Sequence, residues 1–434
     1  MKSILYRIVL FALFIQAFQN LSYCQEKQKK DTTFPDGTEG VVFHPKAIDT
    51  ILEKENLAPN EFKGSHSTFR IGFGYIGDAT TYVQDDTFKR QMDSLGVSLD
   101  PTFKTRDFRI LGSGRLLKTK RYIAWKFAYM YDGNDKVWMM RETGITIGAP
   151  ELKGHIFIGR TKEGFSMIKV MNGHSPWGYE RQMALDVIPI LADGIKWFGM
   201  LPKAKIFWNL GYYNDILSKG QSFSTFQWQY VARVGWLPIN NAEKKQVLHI
   251  ATNLRYGKPL DGKMTLKSRP ESNPTPQLIN TGSFATDHST HIGAEAYYTS
   301  NRITIGSEVV THHFYNEKGT DHKFSGGNIM LSYSITGGVR PYRTDGSIFG
   351  FVPVKKSVFK GGLGEIEAVV FASTLNLNSG DIKGGQMWRI TPMINWYMTK
   401  VIRFELIYGY GTLERFNLKG HVQFFETRIQ FTLM

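Results

Sequence analysis

Cysteine is almost absent from this chain. Its 434 residues contain a single one, Cys24, at the end of an N-terminal segment with the features of a secretory signal. If cleavage follows Cys24, the mature protein has no thiol, which excludes disulfides and cysteine catalysis. The alternative is a lipoprotein signal in which Cys24 is lipidated, although the bulky Tyr23 stands where such a signal requires a small residue.

A long apolar run is also missing after that segment. A membrane-spanning helix needs about 20 apolar residues, and the longest candidate, Val187 to Leu201, is interrupted by Asp193, Lys196 and two glycines. No helical periodicity is long enough to indicate an α domain. An exported chain without a spanning helix is periplasmic, secreted or an outer-membrane β-barrel.

The chain divides into three predicted parts. Residues 1–24 predict a signal peptide, with Lys2 and Arg7 as its positive start and an apolar run behind them. Residues 25–66 are polar and lysine-rich and predict a periplasmic or lumen extension. Residues 67–434 are predicted to form a single outer-membrane β-barrel.

Apolar and polar side chains alternate with a period of two through this third part. At the C-terminus one face carries Phe425, Thr427, Ile429, Phe431 and Leu433, and the other carries Glu426, Arg428, Gln430 and Thr432. Phe226, Trp228 and Tyr230 are likewise predicted on the apolar face of an internal strand. A strand points successive side chains to opposite sides, so each segment has two unlike faces. Many segments have the length of about ten residues that a tilted transmembrane strand needs.

These features predict an all-β protein, a transmembrane antiparallel β-barrel in the outer membrane of a Gram-negative bacterium. About seventeen candidate strands are visible, and even counts are usual, so about 16 strands are predicted. The short turn Thr299-Ser300-Asn301 indicates the periplasmic end. The long connections 162–194, 269–286 and 340–361 are predicted as outer loops or loops folded inward.

The charge balance is strongly basic. The formal net charge is +15, and removal of the two basic residues of the signal peptide leaves most of that excess. A large positive excess favours anionic partners. Nucleic acid is not expected for an exported chain, so small anions and the phosphates of outer-membrane lipid and lipopolysaccharide are the predicted partners.

An ordered set of short motifs occupies most of the chain. It comprises Gly159 through Ser166, Glu180-Arg181, Ser268-Arg269-Pro270-Glu271 before Thr281-Gly282, Thr336-Gly337 before Arg340-Pro341-Tyr342, and Asn376-Leu377 through Gly384-Gly385 to Asn395-Trp396-Tyr397. From about Phe103 to the C-terminus the chain resembles the phosphate-selective porins O and P. The resemblance implies a 16-stranded homotrimeric barrel whose basic lumen conducts phosphate and other anions. The segment from Met171 to Trp177 departs from the family's phosphate-coordinating loop, and the N-terminal quarter matches poorly.

Basic residues of the lumen face and of one loop are the candidate substrate path. They are Arg70, Arg106, Arg109, Lys126, Lys162, Lys169, Arg181, Lys196, Arg233, Arg255, Arg389 and Arg403, and Arg428 shares the same parity. The planar guanidinium donates two parallel hydrogen bonds to an oxyanion, and several cations in one aqueous tube favour anions. The alternative is that these arginines pair with lumen acids, such as Glu308, Glu365, Glu367 and Glu405, and stiffen the wall. Arg106 and Arg109 differ in parity, so their facing stays open.

The loop from Lys162 to Lys196 is the predicted constriction. A wide barrel leaves an aqueous channel, which an infolded loop makes selective. The alternative is an ordinary outer loop whose lysines contact lipopolysaccharide.

Other motifs carry little weight. Gly72-Phe73-Gly74-Tyr75-Ile76-Gly77 has dinucleotide-binding letters but lies inside an alternating strand with no helix after it. His312-His313 lacks further metal ligands, and no nucleophile motif marks a hydrolase. No cofactor and no metal are predicted.

The predicted function is passive diffusion of small anions, with phosphate as a candidate, through a basic lumen, without catalysis. The alternatives are an outer-membrane barrel with a structural or adhesive role and no selective transport, and a lipid-hydrolysing barrel enzyme.

Overall fold

The wall of the molecule is one closed antiparallel sheet. The computed structural model describes residues 60–217 and 225–434, and within these ranges 16 strands form a barrel in which the first pairs with the last. The predicted all-β barrel of about 16 strands is thereby confirmed. The predicted signal peptide and most of the predicted extension, residues 1–59, lie outside the described residues. The predicted boundaries at residues 24 and 66 stay predictions.

The strands in chain order are β1 (Glu61–Lys63), β2 (Thr68–Gln84), β3 (Thr102–Arg115), β4 (Ile123–Asp132), β5 (Val137–Met140), β6 (Thr143–Ala149), β7 (Gly154–Thr161), β8 (Ala192–Leu201), β9 (Ile206–Asn214), β10 (Phe226–Asn241), β11 (Gln246–Pro259), β12 (Lys263–Ser268), β13 (Ile279–Ala285), β14 (His288–Ser300), β15 (Ile303–Tyr315), β16 (His322–Ser334), β17 (Tyr342–Arg343), β18 (Ile348–Phe349), β19 (Glu365–Ser379), β20 (Ile382–Tyr397), β21 (Ile402–Arg415) and β22 (Leu418–Leu433). The helices are α1 (Asp86–Leu95) and α2 (Met167–Val170), with 3-10 turns at Pro150–Leu152, Met183–Leu185, Leu260–Gly262 and Val358–Lys360. Among the described residues, no helix combines the length and apolar character needed to cross a membrane.

One wall strand is interrupted, and three short pairings lie outside the barrel wall. β5 and β6 both pair with β4, so they act as one wall strand that is interrupted at Arg141 and Glu142. β1 pairs only with the start of β2. The hairpins β12–β13 and β17–β18 belong to the connections that follow β11 and β16.

The period of two places polar groups inside the barrel and apolar groups outside. On β14 the buried side chains include His291 and Glu295, whereas Ile292 between them is 53% exposed. The outward face of a transmembrane strand contacts lipid. Exposed aliphatic side chains are therefore stable on that face, and polar side chains lie on the inner face. The C-terminal strand β22 follows the same rule, with Phe425 outward and Glu426 and Arg428 inward.

A charge on the outward face should destabilise the barrel. Val309 lies at the middle of β15 and is 57% exposed on the lipid side. We expect Val309→Lys to lower the free energy of unfolding by about 2–4 kcal/mol, the cost of a lysine at the bilayer midplane. Urea titration in lipid vesicles measures this difference. The control Glu317→Lys changes the exposed turn between β15 and β16, and an equal loss in both variants would contradict the lipid-facing assignment.

Two bulges shift the alternation where the sequence shows no sign of them. The prediction that Phe226 faces lipid is wrong: a register shift between Phe226 and Trp228 turns its ring inward, beneath the Arg255 guanidinium at 3.9 Å. A second shift, in the pairing of β2 with β3, leaves Arg106 as the extra residue beside Asp107. A bulge inserts one residue and re-aims side chains, so Arg106 and Arg109 both reach the inner side despite their different parity.

Of the two alternatives predicted for 340–361, the outer loop is wrong, and the connection is instead folded inward against the core. This connection leaves β16, and two strands, β15 and β16, separate it from the turn at Ser300–Ile303. Two antiparallel crossings return the chain to the same end, so the connection lies at the end of the short turns. The connections after β7 and β11 lie at the opposite end.

Connections from both ends of the barrel pack against its inner face. Residues 162–191 between β7 and β8, called here the β7–β8 segment, include fully buried Phe165, Met167 and Trp177. The Trp177 ring stacks on Tyr297 of β14 at 5.5 Å and meets Phe349 of the opposite connection at 5.0 Å. Apolar inward-facing side chains of β10, β16, β19 and β22 complete the cluster. The barrel therefore has a packed hydrophobic core within its wall.

Candidate functional site: a basic crevice on the inner face

Five of the twelve predicted path residues lie in deeply buried ion pairs. Pairs join Arg233 to Glu295, Arg255 and Lys169 to Glu163, Arg389 to Glu426 and Arg403 to Glu405. All of these side chains are 0–3% exposed. A buried charge must be paired because desolvation is expensive. These groups hold the wall and its inner packing together.

Wall side chains also fix the backbone of the β7–β8 segment. Arg428 and Arg403 donate to the carbonyls of Tyr179 and Pro176. At the start of α2, Glu308 accepts the N–H of Ile168 at 3.0 Å, and Glu295 accepts that of Met167. Carboxylates stabilise a helix N-terminus, whose N–H groups lack partners within the helix. The segment is thereby bound to both sides of the barrel.

A second anchor joins the two packed connections. Arg340 pairs with Glu367 at 2.9 Å and donates to the Tyr397 hydroxyl. Its terminal nitrogens also donate to the carbonyls of Ser175, at 2.8 Å, and Pro176, at 3.1 Å. Two of the sequence motifs, Arg340-Pro341-Tyr342 and Asn395-Trp396-Tyr397, thus meet at Glu367 and at the β7–β8 segment.

Open space with polar lining remains along β2, β3, β4 and the interruption before β6. A crevice of about 90 Å³ is lined there by Arg70, Gly72, Arg109, Leu111, Gly112, Ser113, Lys126, Phe127, Ala128, Glu142, Lys162, Asn172, Gly173 and Met434. Among these lining residues are four basic side chains and one carboxylate. Gly173 and Ser113 have little or no side chain, so they leave room beside the cations.

Two guanidinium groups converge at Gly173. A Cβ on this glycine would lie 3.5 Å from Nη2 of Arg181 and 3.7 Å from both terminal nitrogens of Arg109. Arg141, at the break between β5 and β6, adds a further charge next to Arg109 and Arg181. Burial, and then the charges of Arg106 and Arg141, lower the pKa of Arg181 to about 10. This repulsion makes the cluster a favourable place for an anion.

Acidic residues behind the cluster orient it. Glu180 receives Arg106 at 2.5 Å and also Arg428. Burial alone would raise the pKa of Glu180, but these two guanidiniums lower it to about 2, so the carboxylate is ionised. Asp107 pairs with Arg109 at 2.7 Å, and Glu142 lies 3.4 Å from Lys162.

The predicted path residues therefore separate into two groups. The structure brings Arg70, Arg109, Lys126 and Lys162 into the crevice, and Arg106 and Arg181 lie at its border. It places Lys169, Arg233, Arg255, Arg389 and Arg403 in the buried pairs, and Lys196 donates to Thr161 at 2.8 Å. That any of them lines the substrate path stays a prediction.

Sequence reasoning missed Arg141, Asp107 and His174 as members of the site. Arg141 falls at a strand interruption, and Asp107 stands in the sequence between Arg106 and Arg109. The adjacent histidines do not act together: His312 faces inward and bonds His291 at 2.7 Å, whereas His313 lies 3.4 Å from Asp321 at the strand end. Within residues 60–217 and 225–434, no three His, Cys, Asp or Glu side chains are grouped as metal ligands.

Comparison with solved structures defines the class of protein. An anion-selective porin from Comamonas acidovorans aligns over 85% of this chain and 100% of its own, with TM-score 0.50 and 11% identity. The outer-membrane channel DcaP of Acinetobacter baumannii aligns over 86% and 99%, with TM-score 0.54 and 9% identity. Vibrio cholerae OmpT, folded in vitro and described as a trimer form, aligns over 84% and 99%, with TM-score 0.52 and 10% identity. At these identities the likeness shows the fold, that of an outer-membrane porin.

The family follows from the sequence match. The model of the phosphate-selective porin O and P family matches residues 102–433, so the chain belongs to that family and is an outer-membrane channel of a Gram-negative bacterium. An uncharacterized protein of Caulobacter vibrioides is 30% identical over 133 residues, which are 31% of this chain. The chain spans about a quarter of that relative's length, as the match covers 27% of it.

Proposed function

We propose that this protein is a passive, anion-favouring channel whose solute moves through the basic crevice along β2, β3 and β4. The observation that carries the proposal is open space beside cations. Four basic side chains line the crevice, although Arg70, Arg109 and Lys162 also pair with carboxylates. Arg233 and Arg389, by contrast, lie in fully buried pairs with no such space. The crevice has room for several water molecules or one small oxyanion.

The conduction step requires no chemistry. Arginine and lysine side chains replace part of the hydration shell of an entering anion, and their charge raises the barrier for cations. Arg109 and Arg181 offer two guanidinium forks to one oxyanion, which is the geometry that phosphate and carboxylate accept. Phosphate is therefore a candidate solute. The porin described as anion-selective that shares this fold supports the proposal.

The β7–β8 segment is the element that narrows the channel in this proposal. Its bonds to the wall hold it beside the crevice, and its residues Asn172 and Gly173 belong to the crevice lining. The assembly is proposed to be a homotrimer, in line with the trimer form described for the OmpT structure.

The test is the reversal potential of purified protein in a planar bilayer under a KCl gradient. We expect a value on the anion-selective side and a decrease in conductance when phosphate is added to chloride, because phosphate occupies the same cations. A cation-selective value would overturn the proposal.

A second candidate is a barrel with a structural or adhesive role. The packed core within the wall favours it, since the cluster around Trp177 fills much of the interior. Protein that inserts into bilayers and gives no conductance steps would establish this alternative.

A further inference from the structure

His174 of the β7–β8 segment lies behind the crevice and is fully buried. Its backbone carbonyl accepts from Gln430 of β22 at 2.7 Å, and its N–H donates to the Asn172 side chain at 2.8 Å. The imidazole lies on Gly74 of β2, where any Cβ would overlap its Cε1 atom. Gly74 thus provides the space that the ring occupies.

The ring joins β22 to β3. Nδ1 lies 2.6 Å from the Thr432 hydroxyl and Nε2 lies 3.4 Å from Oδ1 of Asp107. With its proton on Nε2, the neutral ring accepts from the Thr432 hydroxyl at Nδ1, and Nε2 faces Oδ1 of Asp107 at 3.4 Å, which is too far for a good hydrogen bond. This tautomer is assigned from the partners.

Asp107 connects the imidazole to the crevice. Its other oxygen, Oδ2, accepts from Arg109 at 2.7 Å and from Arg106. Of these contacting residues, Arg109 lines the crevice. The position of His174 is therefore transmitted through one carboxylate to a cation of the proposed path.

We propose that His174 is a positioning residue: in its neutral form it seats residues 172–175 on β2 and β22 and keeps Arg109 directed into the crevice, and on protonation this seat is released. The inference rests on the proposed anion path and deepens it, because it assigns acid regulation to the same site.

The charges around the ring determine the direction of the pH effect. β3 supplies Arg106, Asp107 and Arg109, and the segment itself supplies Glu180 and Arg181. The contacts from β2 and β22 are Gly74, Gln430 and Thr432, which carry no charge.

Burial, and then the charge of Arg109, lower the pKa of His174 to about 4. A released imidazole has a pKa of about 6.5. The seated form binds its proton less readily than the released form. The free-energy difference that favours the seated form over the released form is therefore fully present above about pH 6.5. It decreases as the pH falls from 6.5 towards 4.

The test compares conductance and reversal potential of the full protein in planar bilayers from pH 7.5 to pH 4.5. Acid should reversibly raise the conductance of the unchanged protein, because the released segment widens the crevice. Acid should also reduce the anion selectivity, because Arg109 is no longer held towards the crevice. His174→Gln retains a polar side chain that does not titrate, and it should lose this step. His313→Gln, at the outer end of β15, should retain it.

A second variant acts at neutral pH. Gly74→Ala displaces the ring, so at pH 7.5 it should show the conductance that the unchanged protein shows in acid. Heat-modifiable mobility on gels confirms that each variant has folded. The inference is overturned if His174→Gln keeps the acid step, if the unchanged protein has none, or if folded Gly74→Ala conducts normally. A cation-selective reversal potential at pH 7.5 would instead refute the anion path. The role of His174 would then be decided by the conductance change in acid alone.

Discussion

Replacing Arg428 with methionine should destabilise the folded barrel by about 3–5 kcal/mol, the cost of removing one member of a buried ion pair. Its guanidinium meets Asp78 at 2.7 Å through Nε and Glu180 at 2.5 Å through Nη2, and a third nitrogen donates to the Tyr179 carbonyl. Methionine fills part of the space, but it leaves Asp78 fully buried without its cation. The midpoint of urea unfolding in detergent micelles, followed by gel mobility, measures the loss.

Lys419→Met is the matched control. Lys419 pairs with Glu414 at 2.7 Å, but the two side chains are 59% and 46% exposed. Exposed pairs contribute about 0.2–1 kcal/mol, so this variant should unfold almost normally. Equal losses in the two variants would show that the Arg428 cluster does not stabilise the barrel.

Exchanging two crevice lysines for glutamate should reverse the ion preference of the channel. Lys126 and Lys162 line the crevice with Arg70, Arg109 and Glu142. The double variant Lys126→Glu, Lys162→Glu converts a lining of four cations and one carboxylate into one of two cations and three carboxylates. We expect the reversal potential in a KCl gradient to change sign, since the fixed charge of a narrow passage selects its counterion.

Two further variants separate the sign of the charge from its position. Lys126→Gln with Lys162→Gln removes the same cations without adding acids, so selectivity should weaken but not reverse. Lys419→Glu alters the charge at an exposed strand end and should leave the reversal potential unchanged. An anion-selective potential that persists in the glutamate variant would place the solute path elsewhere.

The barrel itself could be predicted from the sequence because its cause is local. Ile292 and Glu295 differ in parity, so they lie on opposite faces of β14. Ile292 faces the lipid, and Glu295 packs among polar groups inside the barrel. The exceptions arise from inserted residues: the bulges at Phe226 and Arg106 change the facing without any distinctive letter in the sequence.

The candidate site was less predictable because its contacts are long-range. Parity places Arg428 inside the barrel, but its partner Asp78 is 350 residues away along the chain. Parity likewise cannot distinguish Arg389, which is paired with Glu426, from Lys126, which borders open space. Whether a cation is matched by an acid depends on register and loop packing, and the sequence pattern contains neither.

Arg428 also links closure of the barrel to packing of the β7–β8 segment inside it. It stands on the last strand, opposite Asp78 on the first full strand of the barrel, and it binds Tyr179 and Glu180 of the segment between them. The pairing of β22 with β2 and the packing of the β7–β8 segment therefore depend on the same side chain. We infer that the two events occur cooperatively, so that a chain whose interior is wrongly packed also fails to close its outer cylinder.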